Sequence, residues 1–365
     1  MVFKRMELEE WFDRYQYEID HDIGESGVKF LKFGDLELDL SDLPLRYGHH
    51  RGAPELRELI ASDYPGLSPD QIVVTTGASE ANFALVASLV GPDDHIIVEH
   101  PNYPSLYEVP ASLNRNLTLF PLSFDEQFKP NLDKLKRLMT PQTRLVTLTH
   151  PNNPTGSTIS AKELEEVIRL VESHDAYLLM DETYRELSFE DPPPRAATLS
   201  PRAISITTMS KVYRVPGIRI GWVAADESII ESVRAVREQI TICNSVVGER
   251  IAFKILQRKE ELLAQTKELV KTNYQIVEGW LDGRSDVEWI PPRGGVVAFP
   301  RLAEDVPADD LCRLLVEKYR TFVVPGYCFQ MDRHFRLGFG GAPEELKAGL
   351  GCLDKTLEEW RGSLR

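Results

Sequence analysis

Leu8, Trp11, Phe12, Tyr15 and Ile19 recur at the three- and four-residue steps of one helical face, so the chain is expected to open with an amphipathic helix within 6–19. From residue 71 the pattern changes. The runs 71–75, 95–99, 117–122, 144–149, 176–180, 204–207 and 220–225 are short and dense in Val, Ile and Leu, as in strands buried on both faces. Helical spacing lies between them. Phe83, Val86, Leu89 and Val90 follow the turn Gly77-Ala78-Ser79-Glu80, another helix is expected near 132–139, and Ser160-Ala161-Lys162-Glu163 reads as a capping box opening a helix to Ser173. Strand alternating with helix predicts an α/β fold whose mostly parallel sheet, of about seven strands, is sandwiched by helices. Open sheets of this kind bind ligands outside the C-terminal ends of their strands.

A long helical stretch is expected from Glu227 to about Leu281, interrupted near 243–247. Beyond it, 291–300 begins a second sheet that 323–326 and 335–339 continue. Residues 46–240 are therefore expected to form a large domain, and 1–45 with 250–365 a smaller α+β domain, joined by the helical stretch at 227–281. Asp22-Ile23-Gly24-Glu25-Ser26-Gly27-Val28 is a glycine-rich turn leading into a strand expected around 28–33.

With 365 residues, 42% of them hydrophobic, the chain can bury a large core. Its net charge of −15 argues against nucleic acid as a partner, because phosphate backbones need clustered Lys and Arg. No apolar run approaches the roughly 20 residues that span a bilayer, and the first ten residues are charged, so a cytoplasmic chain without a membrane partner is expected. Cys243, Cys312, Cys328 and Cys352 lack metal-ligand or disulfide spacing, so reduced thiols and no metal are expected.

The candidate chemistry centres on Lys211, just beyond the run 204–207, with Arg219 eight residues later. A lysine amine can condense with an aldehyde cofactor, although an isolated Ser-Lys on a loop is ordinarily just solvated. Two other segments decide between these readings. His150-Pro151-Asn152-Asn153-Pro154-Thr155-Gly156 and Asp181-Glu182-Thr183-Tyr184 precede the lysine in a fixed order, and together the segments resemble the class I and II aminotransferases, fold type I pyridoxal phosphate enzymes. The resemblance runs from about Tyr47 to Gly340.

It implies pyridoxal 5′-phosphate as cofactor, held as a Schiff base by Lys211, which then shuttles a proton during ping-pong transfer of an amino group between an L-amino acid and a 2-oxo acid. Arg219, Thr208, Ser210, the Ser79 hydroxyl and the backbone of Ala78 and Ser79 would meet the phosphate, the last two as amides at a helix N-terminus. Tyr103 would stack on the ring, with Tyr107 as competitor. Asn153 and Tyr184 would donate to the phenolic oxygen, and Asp181, a carboxylate too costly to bury alone, would face the ring nitrogen. Arg336 would bind the substrate α-carboxylate through two parallel donors, beside Asn153 and the backbone of Gly27. Tyr47 would reach the phosphate in a neighbouring subunit, making a homodimer with shared sites, and His49, His50 and Arg51 would approach the substrate side chain.

The N-terminal 45 residues fit less well. Where the family usually carries a longer Gly-x-Gly-x-Pro-Asp loop over the substrate, this chain has the short turn 22–28, similar to the amino-terminal pattern of the capreomycidine synthase branch, which closes a ring on an arginine derivative. Another reaction on the same scaffold, such as β-elimination, decarboxylation or ring closure, is the alternative. A transcription regulator built on this fold would need a basic DNA-binding domain ahead of it, and the first 45 residues, with Glu7, Glu9, Glu10, Asp13 and Glu18, are expected to leave no room for one.

Overall fold

Seven strands make the central sheet of this computed structural model: β1 (Ile72–Thr75), β2 (His95–His100), β3 (Asn116–Pro121), β4 (Thr143–Thr149), β5 (Tyr177–Asp181), β6 (Ala203–Thr208) and β7 (Gly221–Ala224). The structure describes residues 3–363; Met1, Val2, Leu364 and Arg365, at the outer ends of the expected smaller domain, lie outside it. The spatial order is β1-β7-β6-β5-β4-β2-β3. Neighbours from β3 to β6 are parallel, and only β7 runs antiparallel, to both β1 and β6.

Alternate residues of one strand feed opposite faces. Ile97 joins one apolar cluster, with Leu164, Val167 and Val171 of the helix Ala161–Ser173. Its neighbours Ile96 and Val98 join the other, with Leu85 and Val86 of the helix Gly77–Leu89 and Ile230 and Val233 of the helix Glu227–Glu238. Both faces are thus covered, which is why the strand runs are continuously apolar. The capping box forms: Ser160 Oγ accepts from the Glu163 amide at 3.2 Å, and the Ser160 amide donates to Glu163 Oε2 at 2.8 Å.

A three-stranded antiparallel sheet lies apart from the first, with β8 (Val297–Ala298), β9 (Val324–Pro325) and β10 (Phe335–Gly338) in the order β8-β10-β9. The N-terminal helix, Glu7–Tyr15, packs here: Trp11 Nε1 donates to the Val323 carbonyl at 2.8 Å, and Phe12 meets Phe322 edge-on at 4.9 Å.

Two expectations need correction. Residues 28–33 form no strand; the Lys29 and Leu31 amides donate singly to the carbonyls of Gly340 and Arg214, so no ladder builds. The stretch 227–281 is three helices, Glu227–Glu238, Val246–Gln257 and Lys259–Leu281. Its first break spans 239–245, because Ser245 caps a new helix by accepting from the Gly248 amide at 3.3 Å. Among the described residues, the four cysteines are free and no helix is long and apolar enough to cross a membrane.

Candidate active site

Parallel strands bring their C-terminal ends to one rim, and β7, being antiparallel, brings its beginning there. Residues just beyond β1, β2, β4, β5 and β6 therefore meet Arg219, just before β7. A cavity of about 320 Å³ opens between them, within the size of small-molecule sites. Ala78, Ser79, Tyr103, Asn153, Asp181, Tyr184, Thr208, Ser210, Lys211, Arg219 and Arg336 all line it.

One end suits an anion. The helix Gly77–Leu89 starts here, with first-turn amides that have no partner within the helix. Gly77 has φ +81°, and a Cβ on it would stand 2.7 Å from Arg219 Nη2, so only glycine lets the guanidinium lie across the helix start. Gly221 is equally constrained, since a Cβ there would come within 2.6 Å of the Thr207 carbonyl. Arg219 Nη1 reaches Ser210 Oγ at 3.4 Å, and Ser210 Oγ lies 2.9 Å from Thr208 Oγ1. Amides, hydroxyls and a guanidinium thus converge on one space.

The floor carries the opposite charge. Asp181, the last residue of β5, is buried and accepts from the Thr183 amide at 2.9 Å. No cation among the described residues lies within ion-pair distance of it, and burial pushes its carboxyl up to about 6. A buried carboxylate without a cation is poised for a cationic ligand atom.

Lys211 lines the same cavity. Its Nζ lies 2.8 Å from Glu25 Oε1 and 3.0 Å from Ser26 Oγ, both in the turn 22–28. Burial alone would lower the lysine pKa, but the Glu25 carboxylate outweighs it and holds the ammonium form above its ordinary range. The same turn engages the remaining groups. Tyr184 donates its hydroxyl to the Ser26 carbonyl at 2.8 Å, and Arg336 donates Nε and Nη2 to the Gly24 carbonyl at 3.1 and 2.9 Å. Arg336 Nη1 donates to Asn153 Oδ1 at 3.2 Å. Arg336 is 1% exposed, with no carboxylate of the described residues within ion-pair distance, so it is a buried cation short of an anion.

Glu99 of β2, fully buried, holds the turn that carries Asn153. Its Oε2 accepts from the Thr149 amide at 2.9 Å and Asn152 Nδ2 at 3.2 Å, while Oε1 lies 3.0 Å from His150 Nε2. Sequence reasoning missed Glu99, along with Glu25, Ser26 and Glu9. Glu9 reaches in from the N-terminal helix and accepts from the Tyr103 hydroxyl at 3.0 Å. Only the sequence Gly24-Glu25-Ser26-Gly27 hinted at the first pair, and it does not reveal which side chain meets the lysine.

Other candidates lie elsewhere. Gly27 is buried beside the Gly340 backbone and does not line the cavity; Glu25 and Ser26 do. Tyr47 is 81% exposed beside a separate cleft, with His49. His50 faces Glu238 at 3.3 Å, and Arg51 pairs with Asp70 at 3.0 Å and with Glu231. Tyr107 is buried edge-on to His100.

The sequence profile of the aminotransferase class I and II family matches residues 37–353. The chain belongs to this family. Capreomycidine synthase of Streptomyces vinaceus is 31% identical over 363 residues, covering 96% of this chain and 93% of that protein. An aspartate aminotransferase of Thermotoga maritima is 28% identical, covering 91% and 86%. Among solved structures, a PLP-dependent aminotransferase from Streptococcus suis 89-1591 superposes with a TM-score of 0.94 at 31% identity, covering 98% of this chain and 99% of that one. A PLP-dependent cyclase, OrfR, superposes with a TM-score of 0.91 at 29% identity, covering 98% of both. The family's cofactor is pyridoxal phosphate. The cavity fits it, having an anion cradle that any Cβ on Gly77 would fill, a lysine, and an unpaired carboxylate opposite.

Proposed function

We propose that this protein transfers an amino group between an L-amino acid and a 2-oxo acid by a ping-pong mechanism on Lys211. The observation that carries this reading is that Lys211 shares one cavity with an anion cradle and an uncompensated buried carboxylate. When bound, pyridoxal phosphate supplies an aldehyde for amino groups and an electron sink for the charge left at the substrate's α-carbon.

The chain's own residues divide the remaining work. Arg219, the amides of Ala78 and Ser79, and the hydroxyls of Ser79, Thr208 and Ser210 hold the phosphate. Asp181, ionised, would face the ring nitrogen and favour its protonated form. Tyr103 would supply an aromatic face to the ring, and Asn153 and Tyr184 would be the donors to the phenolic oxygen. Arg336 takes the substrate α-carboxylate, which must displace the Gly24 carbonyl from Nε and Nη2; the turn 22–28 therefore has to shift as substrate enters. Lys211, once its amine is free, would take the proton from the α-carbon of the amino donor in one half-reaction and deliver a proton to the α-carbon of the new amino acid in the other.

A panel of amino acids, each mixed with the cofactor-loaded protein in the absence of any oxo acid, tests the reaction type. The expected result is a stoichiometric half-reaction, with loss of the visible band and release of one 2-oxo acid. If no amino acid gives that product, the transfer reading fails. The second reading is ring closure or elimination, favoured by the Glu25 carboxylate 2.8 Å from Lys211 and by similarity to a synthase and a cyclase. It would show as an amino acid consumed with the visible band retained.

We also propose a homodimer in which Tyr47, too exposed to serve its own chain's cavity, completes the partner's phosphate site. Mixing inactive Lys211→Ala protein with an inactive Tyr47→Ala protein under subunit exchange should restore about a quarter of wild-type activity, since half the dimers are mixed and half their sites intact. No recovery after verified exchange would remove Tyr47 from the partner's site.

A further inference from the structure

In the resting protein the lysine has a dedicated counter-ion from a distant part of the chain. Glu25 Oε1 lies 2.8 Å from Lys211 Nζ, and the turn that carries it is fixed on all sides. Asp22 Oδ1 accepts from the Gly24 and Glu25 amides at 3.0 and 2.9 Å, and the Asp22 amide donates to Glu345 Oε1 at 3.0 Å. From β10, Arg336 holds the Gly24 carbonyl, and from the end of β5, Tyr184 holds the Ser26 carbonyl.

We propose that Glu25 sets the reactivity of Lys211: it holds the lysine as an ammonium ion until cofactor or substrate draws the turn 22–28 away, so the turn acts as a brake on cofactor capture. The proposal rests on Lys211 being the cofactor lysine. An ammonium ion has no lone pair and cannot attack an aldehyde, so whatever stabilises it slows capture. Other groups facing the pair are few. Arg336 opposes the ammonium form of the lysine, while Tyr184, Tyr103 and Asp22 are neutral or acidic. Ser26 Oγ, at 3.0 Å, accepts from Nζ without contributing a charge. Among the described residues, Glu25 is therefore the one carboxylate in contact with the reactive nitrogen.

A structural role would show a different pair of rates. A carboxylate that merely kept the site folded would, when lost, expose Lys211 and speed its acylation without quickening cofactor uptake in the loosened cavity; a counter-ion, when lost, speeds both. The experiment strips the protein of cofactor and treats wild type, Glu25→Gln, Glu25→Asp and Ser26→Ala with an acylating reagent at pH 8. Acylation of Lys211 is followed by peptide mass spectrometry against exposed Lys347 as internal reference. Uptake of pyridoxal phosphate is followed separately by the growth of the visible band.

Glu25→Gln is expected to speed Lys211 acylation relative to Lys347 by about tenfold or more, the equivalent of one pH unit in the lysine's pKa. Cofactor uptake should quicken in parallel. Glu25→Asp should fall between Gln and wild type, and Ser26→Ala should change the rate much less than Glu25→Gln. Unchanged or slower acylation in Glu25→Gln overturns the proposal, and so does faster acylation without faster cofactor uptake. If that variant does not fold, a wild-type rate in Glu25→Asp overturns it instead. Should borohydride fix the cofactor of wild type on a lysine other than Lys211, the underlying reading fails, and that result is separate from the acylation rates.

Discussion

Lys211→Ala is expected to bind pyridoxal phosphate without forming the visible band, and to turn over substrate about 10⁴-fold more slowly than wild type, the upper end of what one acid–base group contributes. Two functions vanish with this side chain: the amine that anchors the cofactor and the amine that moves the proton at the α-carbon. The rest of the cavity stays. Arg219, Ser210 and Thr208 still offer the anion cradle, and Asp181 still faces a ring nitrogen, so affinity for the cofactor should fall far less than turnover. Equilibrium dialysis alongside the activity assay separates the two effects. The variant also frees Glu25, which is left recessed without its cation, so the turn 22–28 should loosen and its amides exchange faster.

Asp181→Asn should move activity and stability in opposite directions. With the cofactor bound, losing the carboxylate at the ring nitrogen removes a preorganised charge, and a fall in turnover of about 10²- to 10³-fold is expected. Without cofactor, the carboxylate is a burden. Its folded-state pKa is raised from 3.8 to about 6, with burial as the main cause. A raised carboxyl contributes stability that is fully present below about 3.8 and is lost as pH rises through about 6. At pH 8 the wild-type apoprotein therefore carries the whole penalty, about 3 kcal/mol, which the neutral amide avoids while still accepting from the Thr183 amide. Chemical denaturation of the two apoproteins should show Asn more stable at pH 8, with the difference shrinking between pH 6 and 4. A wild-type apoprotein that is the more stable of the two at pH 8 would contradict this account.

Legibility in the sequence followed the physics of each element. Strands buried on both faces are written as apolar runs, so the sheet and its seven strands could be read, and with them the rim where Asp181, Asn153 and Lys211 gather. Arg219 was placed by its distance from Lys211, and the reversal of β7 explains why a residue before a strand reaches the same rim. Residues 28–33 misled because Val28, Phe30 and Leu31 suggest a strand, but the Lys29 and Leu31 amides find single partners in the Gly340 and Arg214 carbonyls instead of a neighbouring strand. Glu25 and Glu9 stayed hidden because their roles depend on contacts to Lys211 and Tyr103 across long separations, which no local pattern encodes. Glu99 stayed hidden for another reason: a charged residue within an apolar run looks like the end of a strand, whereas here it braces the neighbouring turn.

Every role proposed for the cavity depends on Lys211 carrying the cofactor. Borohydride reduction of the wild-type protein loaded with pyridoxal phosphate, followed by proteolysis and mass spectrometry, tests it most directly. One phosphopyridoxyl group per chain is expected, on the peptide containing Lys211. A modification on any other lysine, or none at all, would contradict it.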